Sequence, residues 1–161
     1  MHLEGHLQLN AKSGIPAQWG ARASMSFDEL LEVLVGSMPE AARFLEPRGQ
    51  CRILMLGCGT SELGSELYDR GWQDITSIDC SVTCISWMRE ANAGLRPEMR
   101  WEVMDLRVLR FPASSFDIIM EKGTLDAVVN GGGVEALRGA RAMLGEARRV
   151  LKLGGALVCI S

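Results

Sequence analysis

Short apolar runs alternate with longer segments whose apolar residues recur at helical spacing. Continuous apolar or strictly alternating runs are typical of strands, and one-sided apolar segments are typical of amphipathic helices. Five runs predict strands: RILML, ITSID, MRWEVMD, SFDIIME and GGALVCIS. Three segments predict helices: SELGSELYDRG, SVTCISWMREANAG and EALRGARAMLGEARRVL, the last ending at Lys152–Gly155 in a left-handed stop before the fifth strand.

This alternation predicts an α/β fold, with a doubly wound, mostly parallel sheet and helices on both faces. Residues 1–24 lack steady periodicity, so we expect a loosely ordered N-terminal lead-in followed by one domain over 25–161. That domain is predicted to begin with a helix from Ser26 to Ser37, and a shorter helical turn follows at PEAARFLEPRG.

Composition narrows the class of protein. The 161 residues are 47% hydrophobic, which suits one globular domain with a sizeable core. A formal charge of -3 shows no basic excess, so neither nucleic acid nor an anionic membrane is an expected partner. The N-terminus lacks the layout of a secretion signal, and no run approaches the roughly 18 apolar residues of a membrane span. A cytoplasmic location is expected.

The five cysteines form no C-x-x-C pair and are predicted to be reduced thiols. Cys80 and Cys84 would share a helical face, but the histidines, His2 and His6, lie at the far N-terminus. Because a zinc site needs about four ligands, no metal site is predicted.

The turn LGCGTSE follows the first strand, where such sheets bind ligands. Gly57 and Gly59 allow backbone geometries and a close ligand approach that side chains would prevent. A dinucleotide fingerprint would need a glycine at position 62, where Glu62 would repel a pyrophosphate. No G-K-[ST] follows either, so a nicotinamide-dependent oxidoreductase and a nucleoside triphosphate site are both disfavoured.

Acidic residues follow three successive strands. Asp79 lies 20 residues after Gly59, the separation at which an acid can accept hydrogen bonds from ribose hydroxyls. Asp105 could accept from the adenine amine while Leu106 packs on the ring, although a turn or helix cap explains Asp105 equally well. Glu121 ends the fourth strand. An acid-rich nucleoside site without a phosphate cradle favours S-adenosylmethionine, whose sulfonium and amino groups are cationic.

The segments LGCGTSELGSELYDRG, ITSIDCS, RWEVMDLRVLRFPASSFDIIMEKGTLDAV and EARRVLKLGG together resemble the class I, seven-strand methyltransferases. More narrowly, EKGTLDA resembles the eukaryotic lysine methyltransferases of elongation factor 1A. The resemblance covers about residues 26–161 and implies a Rossmann-like methyltransferase core that lacks the C-terminal antiparallel strands.

The resemblance implies S-adenosylmethionine as cofactor, protein-lysine N-methylation as reaction and an elongation-factor-like protein as partner. It assigns cofactor contacts to Gly57, Gly59, Asp79, Cys80, Asp105, Leu106 and Lys122. Glu121 and Asp126 are the catalytic candidates, which would hold the incoming ammonium or help it lose a proton. In the alternative reading, Asp126 caps the turn and Glu121 binds the cofactor's amino group.

Three further hypotheses stay open. The chain is a catalytically impaired methyltransferase-like binding module or a truncated isoform, or it methylates a small molecule, since acceptor choice usually depends on loops. An exposed fifth strand also predicts self-association, because an unpaired edge invites another chain.

Overall fold

The computed structural model describes Asp28 and residues 51–160. The five strands are β1 (Arg52–Leu56), β2 (Asp74–Asp79), β3 (Arg100–Val103), β4 (Phe116–Lys122) and β5 (Leu151–Ile160). The helices of this region are α1 (Leu63–Asp69), α2 (Val82–Asn92), α3 (Thr124–Val129) and α4 (Gly133–Val150). The predicted lead-in, the helix Ser26–Ser37 and the turn at 39–49 lie outside the described residues, except for Asp28, which is helical.

The described strands form one sheet in the order β3-β2-β1-β4-β5, and every pairing is parallel. β1 lies in the centre, where Leu56 pairs with Ile78 of β2 and with Glu121 of β4. The chain first winds outward from β1 to β3, then returns to the other side of β1 for β4. This reversal confirms the doubly wound α/β prediction, and it places the switch point beside β1.

Both faces of the sheet are covered, which explains why RILML is apolar throughout. Ile53 and Met55 belong to a core cluster that includes side chains of α1 and α2. Leu54 and Leu56 point to the opposite face, in a second cluster that includes Met143 and other residues of α4. Side chains alternate between the faces of a strand, so a strand buried on both needs an unbroken apolar run.

The fifth strand begins earlier than predicted. α4 ends at Val150 and β5 starts at Leu151, so the predicted helical stop at Lys152–Gly155 is wrong. Phe116 of β4 pairs with Leu151 of β5, and Ile118 pairs with Ala156. The two residues of β4 are thus two positions apart, but their partners on β5 are five positions apart. The extra residues form an irregularity that holds Gly154 at a φ of 79°. Gly154 and Gly155 therefore belong to β5 and do not cap α4.

The structure also contains α3, which the apolar pattern did not predict because it has only six residues. It follows β4 directly, and its N-cap Gly123 has a left-handed φ of 67°. This tight junction brings the first turn of α3 over the carboxyl end of β1.

Among the described residues, no helix is long and apolar enough to cross a membrane. The same part of the chain contains no group of three or more His, Cys, Asp or Glu residues arranged to hold a metal ion.

Candidate active site

A cleft of about 280 Å³ opens at the carboxyl edge of the sheet. Its wall combines the turn after β1, the end of β2 with Cys80, Leu106 and the β4–α3 junction. The residues predicted to bind cofactor that line it are Gly57, Gly59, Asp79, Cys80, Leu106 and Lys122. Six of the seven predicted contacts therefore lie together, although their roles toward a cofactor stay predictions.

The two glycines of the turn serve different purposes. Both have left-handed backbones, with φ of 62° at Gly57 and 51° at Gly59. A Cβ on Gly57 would lie 2.5 Å from the side chain of Thr124, whereas a Cβ on Gly59 would meet nothing within 4 Å. The space beside Gly57 is thus filled by Thr124, whereas Gly59 leaves open space, and a close approach of a ligand to either glycine stays a prediction.

Thr124 is a cleft residue to which sequence reasoning gave no role. Its hydroxyl lies 2.9 Å from the carbonyl oxygen of Leu56 and 3.2 Å from that of Gly57. The side chain therefore joins the start of α3 to the end of β1 across the switch point. Its position within the EKGTLDA segment was the available signal, but the contact partner lies 68 residues away.

Asp79 holds the opposite side of the turn. Its Oδ2 accepts a hydrogen bond from the Gly59 amide at 2.9 Å, and its Oδ1 accepts one from the Ser81 amide at 2.9 Å. The carboxyl is buried, with 8% of the residue exposed, yet it contributes to the cleft wall. Each carboxylate oxygen has a second acceptor position, so the predicted contact with ribose hydroxyls is chemically compatible with both bonds.

Asp105 lies at the same edge of the sheet but outside the cleft wall. Its carboxylate binds the Arg107 guanidinium through contacts of 2.7 to 3.1 Å. These hydrogen bonds lower the pKa of Asp105. Leu106, rather than Asp105, lines the cleft. The predicted bond from Asp105 to adenine stays a prediction and would require the carboxylate to be shared with Arg107.

Glu121 does not lie where a residue that contacts the acceptor amine is expected. It is 1% exposed, and its Oε2 accepts hydrogen bonds from the backbone amides of Thr124 at 2.9 Å and Leu125 at 3.0 Å. It does not line the cleft. Glu121 therefore stabilises the start of α3 in this structure, since a carboxylate there satisfies otherwise unbonded amides. Its catalytic role stays a prediction.

Asp126, the second catalytic candidate, lies half-buried in the first turn of α3 and is likewise not part of the cleft wall. A negative charge at this position interacts favourably with the helix dipole. The structure therefore accommodates the capping alternative, and a role for Asp126 in catalysis stays a prediction.

Lys122 and Cys80 complete the polar wall. Burial lowers the pKa of Lys122, against an opposing effect of the Glu66 carboxylate. The pKa of the Cys80 thiol is raised by burial and by the negative charges of Asp79 and, more weakly, Asp105. Asp79 pairs with Val103 at the end of β3, two residues before Asp105, so the structure places the two predicted nucleoside acids at one edge.

The chemistry of this wall fits the predicted S-adenosylmethionine. Gly59 leaves room for a ligand beside the backbone, Asp79 offers carboxylate acceptors, and Leu106 with Val128 provides apolar surface for a base. When bound, that cofactor supplies an electrophilic methyl group on a sulfonium.

Comparison with known proteins agrees with this geometry. A family profile described as a methyltransferase domain matches residues 53–155, more than half of the chain. The chain is 44% identical over 119 residues to a Bos taurus protein named eEF1A lysine and N-terminal methyltransferase, covering 74% of this chain and 17% of that protein. It is 49% identical over 89 residues to Bos taurus EEF1A lysine methyltransferase 4, covering 54% of this chain and 34% of that protein.

A solved structure described as a SAM-dependent methyltransferase from Methanosarcina mazei has a TM-score of 0.62 and 25% identity, covering 73% of this chain and 55% of that one. The chain thus spans about a sixth to a third of the length of these two curated relatives. The profile match, the relatives and the cleft agree, and this chain belongs to the S-adenosylmethionine-dependent methyltransferase family.

Proposed function

We propose that this chain takes part in transferring a methyl group from S-adenosylmethionine to a lysine side chain of an elongation-factor-1A-like protein. The observation that carries the proposal is the 44% identity, over 119 residues, to a relative named for methylation of that factor. The cleft supports it, because the EKGTLDA segment that first indicated this narrower group forms the β4–α3 wall.

When bound, S-adenosylmethionine would supply an electrophilic methyl group to a neutral amine aligned with the carbon–sulfur bond, which would break as the new N–C bond forms. The methylated amine would then lose one proton. The residues of the cleft contribute mainly by positioning: Asp79 and Leu106 hold the nucleoside, and Lys122 lines the same cleft. Asp126, half-buried in the first turn of α3, is the candidate to attract the incoming ammonium.

A second acceptor is favoured by the name of the first Bos taurus relative, which includes N-terminal as well as lysine methylation. Both acceptors are amines, so the same in-line chemistry serves either. A small-molecule acceptor and a non-catalytic binding module remain the competing hypotheses. We also propose a cytoplasmic location and self-association through β5.

A methyl-transfer assay separates these hypotheses. The chain is incubated with isotopically labelled S-adenosylmethionine and purified elongation factor 1A, and the labelled peptide is located by mass spectrometry. Label on a lysine supports the proposal, whereas label on the N-terminal amine supports the second acceptor. Binding of S-adenosylhomocysteine in calorimetry without any transfer indicates a binding module.

The matched variants are Asp79→Asn, within the cleft wall, and Arg138→Gln, which removes an exposed charge on α4 away from the cleft. Transfer that disappears in the first and persists in the second assigns the activity to this site. Equal transfer by wild-type chain and Asp79→Asn would reject the assignment.

A further inference from the structure

Three of the five thiols gather around the cofactor cleft. Cys58 and Cys80 line it, and Cys84 lies directly behind the turn after β1, in the first turn of α2. The proposed methyl transfer uses none of these thiols as a nucleophile. Their clustering therefore needs a separate explanation.

Cys84 packs against the turn that carries Cys58. The Cys84 Sγ donates a hydrogen bond to the carbonyl oxygen of Gly59, at 2.8 Å. Gly59 follows Cys58 in the chain, and the side chain of Cys84 packs against the core cluster that contains Cys58. Each thiol also shifts the pKa of the other. A sulfur atom of α2 therefore lies against the turn that carries Cys58.

The environments of the two thiols differ in a way that suits oxidation. Cys58 is 7% exposed, and its pKa is raised by the hydrogen bond with Cys84, by burial and by the negative charge of Asp79. Cys84 is half-buried, and the hydrogen bond from Cys58 lowers its pKa against the effects of burial and Asp79. Because Cys84 is the more exposed of the two thiols, it is the sulfur that an oxidant meets first.

We propose that Cys58 and Cys84 form a redox-sensitive pair that hydrogen peroxide converts into a disulfide across the cofactor turn. The Cys84 thiolate attacks one peroxide oxygen, which gives a sulfenic acid and, after protonation, one water. The Cys58 thiol then attacks the sulfenic sulfur, the S–S bond forms, and a second water leaves. The two thiols lose two electrons in total, and the peroxide gains them.

The disulfide has a direct consequence for cofactor binding. A sulfur–sulfur bond of about 2.05 Å is far shorter than a non-bonded contact between two thiols. Cys58 and α2 must therefore approach each other, and Cys84 loses the proton that it donates to Gly59. The turn has little freedom to adjust, because Thr124 abuts Gly57 and Asp79 holds the Gly59 amide. Oxidation thus deforms the floor of the cleft and weakens cofactor binding.

Cys80 provides an internal comparison. It is exposed and lines the cleft, but its pKa responds to the charges of Asp79 and Asp105 and not to another thiol. Cys159, on β5, is also exposed, and burial and the Glu121 carboxylate raise its pKa to about 11. Neither is expected to enter the disulfide.

The test combines peroxide treatment of the 161-residue chain with peptide mapping. After remaining thiols are blocked, trypsin separates Cys58, in peptide 53–70, from Cys80 and Cys84, which share peptide 71–89. The wild-type chain and Cys80→Ser should both yield a reducible cross-link between these peptides, and Cys84→Ser should not. The serine hydroxyl in Cys84→Ser can still donate to Gly59, so this variant preserves the local fold.

Calorimetry with S-adenosylhomocysteine tests the consequence for the cleft. Peroxide should weaken binding about tenfold in the wild-type chain and in Cys159→Ser, with recovery after dithiothreitol. Binding by Cys84→Ser should not change on the same treatment. A cross-link that survives in Cys84→Ser, one that disappears in Cys80→Ser, or a cross-linked chain with unchanged affinity would each overturn the proposal. None of these readouts depends on the identity of the methyl acceptor.

Discussion

The side chain of Thr124 occupies the space that a Cβ on Gly57 would need, and its hydroxyl bonds to the carbonyl of that same glycine. One contact therefore joins the turn after β1 to the start of α3. The cofactor cleft lies between these two segments. Its shape consequently depends on a pair of residues that are far apart in sequence, and this dependence can be measured.

Gly57→Ala should destabilise the chain by about 1–3 kcal/mol, because alanine is strained at a φ of 62° and its Cβ would lie 2.5 Å from Thr124. Urea denaturation measures the loss. Gly145→Ala is the matched control, since its added Cβ would meet nothing within 4 Å and alanine favours the helix. Equal stability of wild type and Gly57→Ala would contradict the contact.

Thr124→Val should cost about 1–3 kcal/mol of stability, because it keeps the shape but removes the hydroxyl donor to the buried carbonyl oxygen of Leu56 and the half-buried one of Gly57. Thr124→Ser retains the donor and should lose less. We expect S-adenosylhomocysteine affinity to follow the same order in calorimetry. If valine and serine variants were indistinguishable, the hydroxyl would have no role.

Asp79→Asn should weaken S-adenosylhomocysteine binding by at least about tenfold, because an amide has one acceptor oxygen for the Gly59 and Ser81 amides and a ribose. Asp105→Asn should have a smaller effect, since its carboxylate binds Arg107 outside the cleft wall. Calorimetry on both variants checks the difference. A comparable loss in Asp105→Asn would instead support its predicted contact with adenine.

Acid should remove a stabilising contribution of Asp117. Burial would raise the pKa of this carboxyl, but the Arg52 amide and the Lys152 ammonium, each 2.9 Å away, lower it on balance. A depressed folded-state pKa contributes stability above the unfolded value of about 3.9, and that contribution is lost as pH falls through the folded value.

Thermal melts of wild type and Asp117→Asn from pH 7 to pH 3 measure this contribution. The difference in melting temperature should be largest at neutral pH and should shrink toward pH 3. A difference that stays constant over this range would show that ionisation of Asp117 does not matter.

The apolar pattern was sufficient for most of the architecture. A continuous run such as RILML can bury both faces only in the middle of a covered sheet, so the central strand and the helical layers follow from local composition. The apolar pattern did not predict where β5 begins, because that start depends on pairing with Phe116 and on an irregularity beside Gly154. Such register choices are made between strands and leave no periodic signal in either one.

The site shows the same division. Sequence spacing predicted that the two turn glycines, Asp79 and Leu106 share one edge, because the carboxyl ends of parallel strands must lie together and turns follow them. The family resemblance added Cys80 and Lys122. Only the tertiary structure decided what each side chain does there: Glu121 bonds the start of α3, Asp105 binds Arg107, and Thr124 fills the space above Gly57. The reason is physical, since backbone direction is set by local sequence, whereas the partner of a polar side chain is set by whichever groups the fold brings within hydrogen-bonding distance.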